Sequence, residues 1–403
     1  MEASLDQQLT PQNIEWRDRA REVARSTVLP NAWKYDRLQE YPWEIKNALA
    51  EAGLMSVWIP KEYGGAGGGV LDLCLVVEEL SRCCGGTGVL FAVNALGSFP
   101  ILLCGTDEQK QKYLPHIASG EKLIAFGLSE INAGSDASGI QCAAKADGED
   151  WVLNGSKKWN TNGPAADLNT IFAVTDPDSK SRRLSAFLLE KEMDGYQVGY
   201  VEDKMGIRCV PVGELDLTDC RVSNDHLLGG KPGLGFKHAM MTLDRARPGV
   251  AAQALGLAQG ALDFATVYAT ERHQFGKPIS SFQMVQQMLA DMAIKVEAAR
   301  ALIYTSARAV DAGASNLTKM AAMCKTYAAD VAMEVTTAAV QIFGGNGYMR
   351  NYPVEKYMRD AKITQIYEGT NQIQRLVIAR NIIKEAAEHS HLKEYIPVPE
   401  ALR

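Results

Sequence analysis

Residues 285–310 read VQQMLADMAIKVEAARALIYTSARAV, and residues 317–342 read LTKMAAMCKTYAADVAMEVTTAAVQI. In the first stretch Val285, Leu289, Met292, Val296, Ala299, Ile303, Ala307 and Val310 follow one another at spacings of three and four. Leu317, Ala321, Cys324, Ala328, Val331, Val335, Ala338 and Ile342 repeat that spacing in the second. At 3.6 residues per turn, each set falls on one stripe of an α-helix. The many small residues in the stripes let backbones approach closely, and the link Asp311-Ala312-Gly313-Ala314-Ser315 suits an antiparallel pair. The two helices are therefore expected to pack in a bundle.

Working outward, the period changes upstream. From Leu123 to about Gly229 the chain shows short apolar or alternating runs, LIAFGL, WVLNG, NTIFAVT, LSAFLLE, YQVGYV and GELDLTD, which read as strands. Turn signals at Ala146-Asp147-Gly148, Asn154-Gly155, Asn162-Gly163 and Asp194-Gly195 suit a meandering or barrel-like sheet. Residues 10–122 return to helical patterning, with Trp16 to Val28, Trp43 to Ala52 and Leu71 to Cys83 separated by turn-rich breaks. The glycine run 64–69 lacks the lysine of a P-loop and the spacing of a dinucleotide fingerprint, so it reads as a flexible loop. The expected organisation is an α+β chain with a helical region over 1–122, a β region over 123–232 and a helical bundle over 233–403.

Composition excludes several classes. The 403 residues are 46% hydrophobic and 22% charged, an ordinary globular balance with room for a large core. A net charge of -6 gives no global basic field, which argues against nucleic acid as a partner. No apolar stretch reads as long enough to span a membrane, and acids precede any apolar run at the N-terminus, so neither membrane insertion nor a targeting peptide is expected. The eight cysteines form no CxxC pair and no zinc-site spacing with histidine, so no metal is expected and the thiols read as reduced in a cytoplasmic protein. No GxGxxG stands between a strand and a helix, which argues against a nicotinamide dinucleotide.

Five segments carry polar groups in places that could serve a ligand. Residues 126–136, FGLSEINAGSD, join a strand to a loop of small residues and exposed amides. Residues 157–163, KKWNTNG, add an aromatic platform and a hydroxyl. Residues 271–278, ERHQFGKP, offer a guanidinium fork, and residues 341–348, QIFGGNGY, end a helix in glycines. Residues 352–375, YPVEKYMRDAKITQIYEGTNQIQR, place Glu368 between Tyr367 and Gly369 just before a helical pattern. Taken singly, each has an ordinary reading: a turn, a half-buried strand, a surface arginine at a helix end, or an acid favoured by a helix dipole.

Taken together, in this order and at these separations, the five segments resemble the signature segments of acyl-CoA dehydrogenases. That resemblance implies a helical domain, a β domain and a four-helix-bundle domain, with FAD as cofactor and a homotetramer, a dimer of dimers, as the assembly. It implies that Phe126, Leu128, Ser129, Gly134 and Ser135 bind flavin, with Trp159 and Thr161 against the isoalloxazine. It assigns Arg272, Gln274, Phe275 and Phe282, with Gln341 and Gly345, to the FAD of a neighbouring subunit, and Thr370 and Gln372 to further cofactor contacts. Glu368 matches the catalytic base, flanked by Tyr367 and Gly369 at the substrate, while Asp244 and Arg247 match positions that touch the CoA moiety. The family's other site for a base is occupied here by Ala246, which takes no proton.

The resemblance implies α,β-desaturation of an acyl-CoA thioester: the α-proton goes to the carboxylate and the β-hydride to flavin, with electrons passed on to electron-transferring flavoprotein. Three departures bear on the substrate. Ile131 stands where the family commonly has proline, Val210 and Val212 replace a usual serine and threonine, and residues 87–100 lack the arginine of members that accept a distal carboxylate. The expected acyl group is short or medium, with a branched, cyclic or arylsuccinyl group such as benzylsuccinyl-CoA left open. An acyl-CoA oxidase, an enoyl-CoA reductase and a non-catalytic acyl-CoA-binding protein are the alternatives.

Overall fold

The computed structural model describes residues 8–395; the first seven residues of the N-terminal stretch read for a targeting peptide lie outside them. Six helices come first: α1 (Pro11–Val23), α2 (Leu29–Leu38), α3 (Trp43–Glu51), α4 (Val70–Cys83), α5 (Gly85–Cys104) and α6 (Asp107–Ala118). A π-helical turn, Ala24–Val28, joins α1 to α2. Capping boxes start α1 and α6, where Thr10 and Asn13, and then Thr106 and Gln109, exchange side-chain and main-chain bonds. The start of α4 is held from far away: Asp311 accepts from Val70 N at 2.6 Å and from Leu71 N at 3.1 Å.

Two expectations for this region need correction. The glycine run is not a free loop, because Gly65, Ala66, Gly67 and Gly68 all donate to carbonyls of residues 56–60, at 2.7 to 3.1 Å. Helix α5, 20 residues long, is by length and composition apolar enough to cross a membrane, although most of it is buried inside the protein. Scattered Gly, Thr, Asn and Ser interrupt its apolar residues, so the sequence shows no continuous apolar run. Those same residues dock the helix: Asn94 Oδ1 accepts from Ile124 N at 3.0 Å, and Thr170 donates to the Gly97 carbonyl at 3.0 Å.

The middle region is a seven-stranded sheet in the order β1-β4-β2-β3-β7-β6, with β5 also on β4. The strands are β1 (Ile124–Gly127), β2 (Ala143–Asp147), β3 (Asp150–Thr161), β4 (Leu168–Val174), β5 (Leu184–Glu190), β6 (Tyr196–Val201) and β7 (Val212–Ser223). Its β1–β4 and β2–β4 pairs are parallel, so the sheet is not a simple meander. Ala146-Asp147-Gly148 does turn between β2 and β3, but Asn154-Gly155 lies inside β3, at an irregularity where Gly155 has φ 141°. A glycine in a strand often marks a bulge rather than a reversal.

Four long helices dominate the described residues after the sheet: α7 (Gly235–Glu271), α8 (Gln283–Asp311), α9 (Leu317–Phe343) and α11 (Asn371–Glu385), with the short α10 (Val354–Lys362) before the last and a 3-10 stretch, Ala386–Tyr395, after it. A two-strand hairpin, β8 (His273–Gln274) and β9 (Lys277–Pro278), follows α7. Along α8 the apolar stripe is buried except at Val285 and Leu289, and along α9 except at Leu317 and Ala338. We propose domain divisions at 122/123 and 232/233, both of which fall in loops between these elements.

Candidate functional site

A cavity lies where the three regions meet. Its walls come from α5 (Val89, Ala92, Val93, Leu96), from β1 and β3, from α7 (Phe236, Met240, Leu243, Val250), and from the turn and helix at 367–377. Phe126, Leu128, Ser129, Gly134 and Ser135 all line it, as do Trp159 and Thr161.

The loop after β1 is held by a buried ion pair. Lys157, on β3 and with no solvent exposure, donates to Glu130 Oε1 at 2.6 Å and to the Leu128 carbonyl at 3.3 Å. Glu130 in turn accepts from Gln141 N at 2.7 Å and Cys142 N at 2.9 Å, so both ends of the loop are tied to one carboxylate. Burial raises the pKa of Glu130, but these donors outweigh it and leave the group below its ordinary value. One register shift of β3 falls between Lys157 and Asn160, and Trp159 there has φ 60°. The indole is consequently 47% exposed beside the cavity, an unusual position for a tryptophan with apolar walls nearby.

Opposite stands Glu368. It and Gly369 form a left-handed turn, with φ 52° and 94°, ahead of Thr370, whose hydroxyl caps α11 by accepting from Ile373 N at 3.2 Å. Arg247 Nε donates to the Glu368 carbonyl at 3.2 Å, and its Nη1 to Asp244 Oδ1 at 2.9 Å. Asp244 also accepts from Thr318 at 2.5 Å. The carboxyl of Glu368 enters the cavity with Oε2 buried and unpartnered. Burial pushes its pKa from 4.5 to about 7, against the pull of Arg247 and Lys325. An acid with a buried oxygen that has no hydrogen-bond partner is the arrangement expected of a group that waits for a proton.

Tyr367 lines the same wall, its hydroxyl donating to Gln253 Oε1, while Gln253 Nε2 reaches the Gly85 carbonyl at 3.0 Å. Sequence reasoning missed Gln253, Lys325 and the α5 wall. A polar residue within the apolar run of 250–258, and a lysine beside the stripe of α9, were the available signals.

The remaining residues expected at the cofactor do not line this cavity. Arg272, Gln274 and Phe275 are exposed on the β8–β9 hairpin, where Phe275 meets Phe282 edge-on at 5.9 Å. Gln341 and Gly345 are exposed at the end of α9, and Tyr268 of α7 stacks there on Phe343 at 3.9 Å. Gln372 is exposed on α11. Among the described residues no cluster of three or more His, Cys, Asp or Glu could hold a metal.

The family models for the acyl-CoA dehydrogenase N-terminal, middle and C-terminal domains match residues 10–121, 125–220 and 233–383. The chain is 47% identical over 376 residues to a probable acyl-CoA dehydrogenase FadE25 of Mycobacterium tuberculosis, covering 93% of this chain and 96% of that one. Among solved structures, one described as the electron transferring flavoprotein of Acidaminococcus fermentans has a chain 49% identical, with a TM-score of 0.91 and coverage of 93% and 99%. Butyryl-CoA dehydrogenase from Megasphaera elsdenii is 43% identical, with a TM-score of 0.91 and the same coverage. The chain belongs to the acyl-CoA dehydrogenase family, and it is an enzyme of that FAD-dependent class.

The cavity fits such a cofactor. An exposed indole, the neighbouring Thr161 hydroxyl and the open backbone at Gly134, where an added Cβ would meet nothing within 4 Å, suit a flat ring with polar edges.

Proposed function

We propose that the chain desaturates an acyl-CoA thioester between its α and β carbons, with Glu368 as the base. The observation that carries this reading is the unpartnered carboxyl of Glu368 in a cavity whose other wall presents Trp159 and Thr161. Glu368 takes the α-proton at a carboxylate oxygen, and the C–H electron pair moves toward the thioester carbonyl. The carbonyl oxygen is assigned to the Glu368 main-chain amide, a donor most effective as enolate charge develops. FAD, when bound, supplies the acceptor for the β-hydride. Phe126, Leu128, Ser129, Gly134, Ser135, Trp159 and Thr161 hold and orient the ring. Tyr367, Gly369, Val93 and Leu96 exclude water from the reacting carbons, while Asp244 and Arg247 shape the wall next to Glu368.

A short acyl group is the favoured substrate, supported by the likeness to butyryl-CoA dehydrogenase and by Gln253 and Tyr367 in the wall. Electron-transferring flavoprotein is the proposed acceptor, supported by the likeness to the Acidaminococcus fermentans structure. Cytoplasmic operation is inferred from eight free thiols, seven of them buried. A homotetramer is proposed because Phe275, Met284 and Tyr348 are 93%, 80% and 82% exposed near the segments assigned to a neighbour's FAD. Anaerobic bleaching of the flavin by a panel of CoA esters tests the reaction and ranks the acyl groups. Stoichiometric hydrogen peroxide under air would identify an oxidase instead.

A further inference from the structure

Lys325 lies on α9 with no solvent exposure, and its ammonium donates to the Gly369 carbonyl and to Asn371 Oδ1, each at 2.9 Å. Both acceptors are neutral. A buried ammonium whose hydrogen-bond partners are neutral has no bonded anion to balance it, and in its protonated form its field is strong because water is excluded. Burial draws the pKa of Lys325 down to about 7, and Glu368 acts against that fall.

The two acceptors flank Thr370, and the first of them, Gly369, directly follows Glu368, so Lys325 grips the same turn that Arg247 holds at the Glu368 carbonyl. Arg247, from α7, holds the carbonyl of Glu368; Lys325, from α9, holds the carbonyl of Gly369. A left-handed conformation at a glutamate persists only when its surroundings enforce it. Two cations on two different helices supply that enforcement.

Resting on the assignment of Glu368 as the base, we propose that Lys325 is a positioning residue for it: its ammonium pins the turn that presents the carboxyl, and its charge widens the pH range in which the carboxylate is available.

The other charged and titratable groups facing Glu368 are accounted for. On α7, Arg247 is paired with Asp244. On α9, Asp330 is engaged by Gln365, Asn371 and Arg375, and Cys324 is a buried thiol with its pKa pushed up to about 12. On α10, Asp360 is held by Lys356 and by Ile207 N. Tyr367 is bonded to Gln253. Lys325 is the cation among these whose hydrogen bonds go to neutral groups alone.

The test uses the FAD-loaded enzyme with Lys325→Met, Lys325→Gln and Lys325→Arg. Anaerobic flavin reduction by butyryl-CoA is followed across pH, alongside FAD content, melting temperature and the infrared carboxyl band that disappears in Glu368→Gln. In Lys325→Met and Lys325→Gln the midpoint of the rising limb, and of the infrared titration, should move up by about one pH unit. Lys325→Gln, which keeps a donor for the Gly369 carbonyl, should retain FAD, and Lys325→Arg should leave the midpoint in place. Unmoved midpoints with a lowered melting temperature would overturn the proposal in favour of a purely structural lysine. So would failure of both neutral variants to fold or to hold FAD. If Glu368→Gln reduces flavin at the wild-type rate, the base assignment fails instead, and the limb belongs to another group.

Discussion

Arg247 and Glu368, 121 residues apart in sequence, meet through the main-chain oxygen of the glutamate, which accepts from Arg247 Nε at 3.2 Å. The carboxyl is thereby left for other work, because the guanidinium spends its donors on that carbonyl and on Asp244. Arg247 is 6% exposed, so it supports the wall from within.

Truncation at that position should therefore cost more than ligand affinity. Arg247→Ala removes the buried member of its pair with the half-buried Asp244, opens a gap in the wall and frees the Glu368 turn, so it should cost about 1 to 3 kcal/mol. Calorimetry should show a fall in melting temperature, and stopped-flow flavin reduction should slow. A variant with wild-type stability that merely binds acyl-CoA more weakly would place Arg247 in contact with CoA rather than behind Glu368.

The Lys157–Glu130 pair makes a separate prediction for the other wall. Glu130→Gln keeps size and one acceptor oxygen but removes the negative charge that balances the fully buried Lys157 ammonium. It should lower stability by about 3 kcal/mol or more and loosen the loop at 129–142, which Glu130 ties to Gln141 and Cys142. Flavin content after dialysis reads the second effect. Full FAD retention with a lowered melting temperature would confine the pair to stability.

Much of this arrangement was legible beforehand, for reasons that can be named. The stripes of α8 and α9 appear in the sequence because helical burial repeats every three to four residues, and three of the five singled-out segments, 126–136, 157–163 and 352–375, hold residues that line the cavity. What stayed hidden depends on contacts between distant residues. Asp311 capping α4 across 241 positions leaves no local trace. Nor did Lys325 stand out, because one lysine beside an apolar stripe reads as a surface side chain until the fold places Gly369 above it. The wall from α5 was invisible for a related reason: its apolar residues look like core, and only docking through Asn94 and Gly97 opens one face to the cavity.

The raised pKa of Glu368 fixes the sign of two pH effects. Flavin reduction needs the carboxylate, so its rate should rise with pH through about 7 and level off above. Stability should run the other way. With a folded pKa near 7 against an ordinary 4.5, Glu368 favours the folded state fully below about 4.5, and that contribution is lost as pH rises through 7. Glu368→Gln should thus melt above the wild type at pH values above 7, and the difference should shrink towards zero on acidification. An equal difference at all pH values would mean that the carboxyl does not titrate in this range.

The central claim is that Glu368 removes the α-proton, and single-turnover flavin reduction tests it most directly because no electron acceptor is needed. Glu368→Gln, loaded with FAD and mixed anaerobically with butyryl-CoA, should bind the thioester and keep its flavin oxidised. A positioned base contributes about 10²- to 10⁴-fold, so the rate should fall by at least about 100-fold. Bleaching within a few-fold of the wild-type rate would contradict the account.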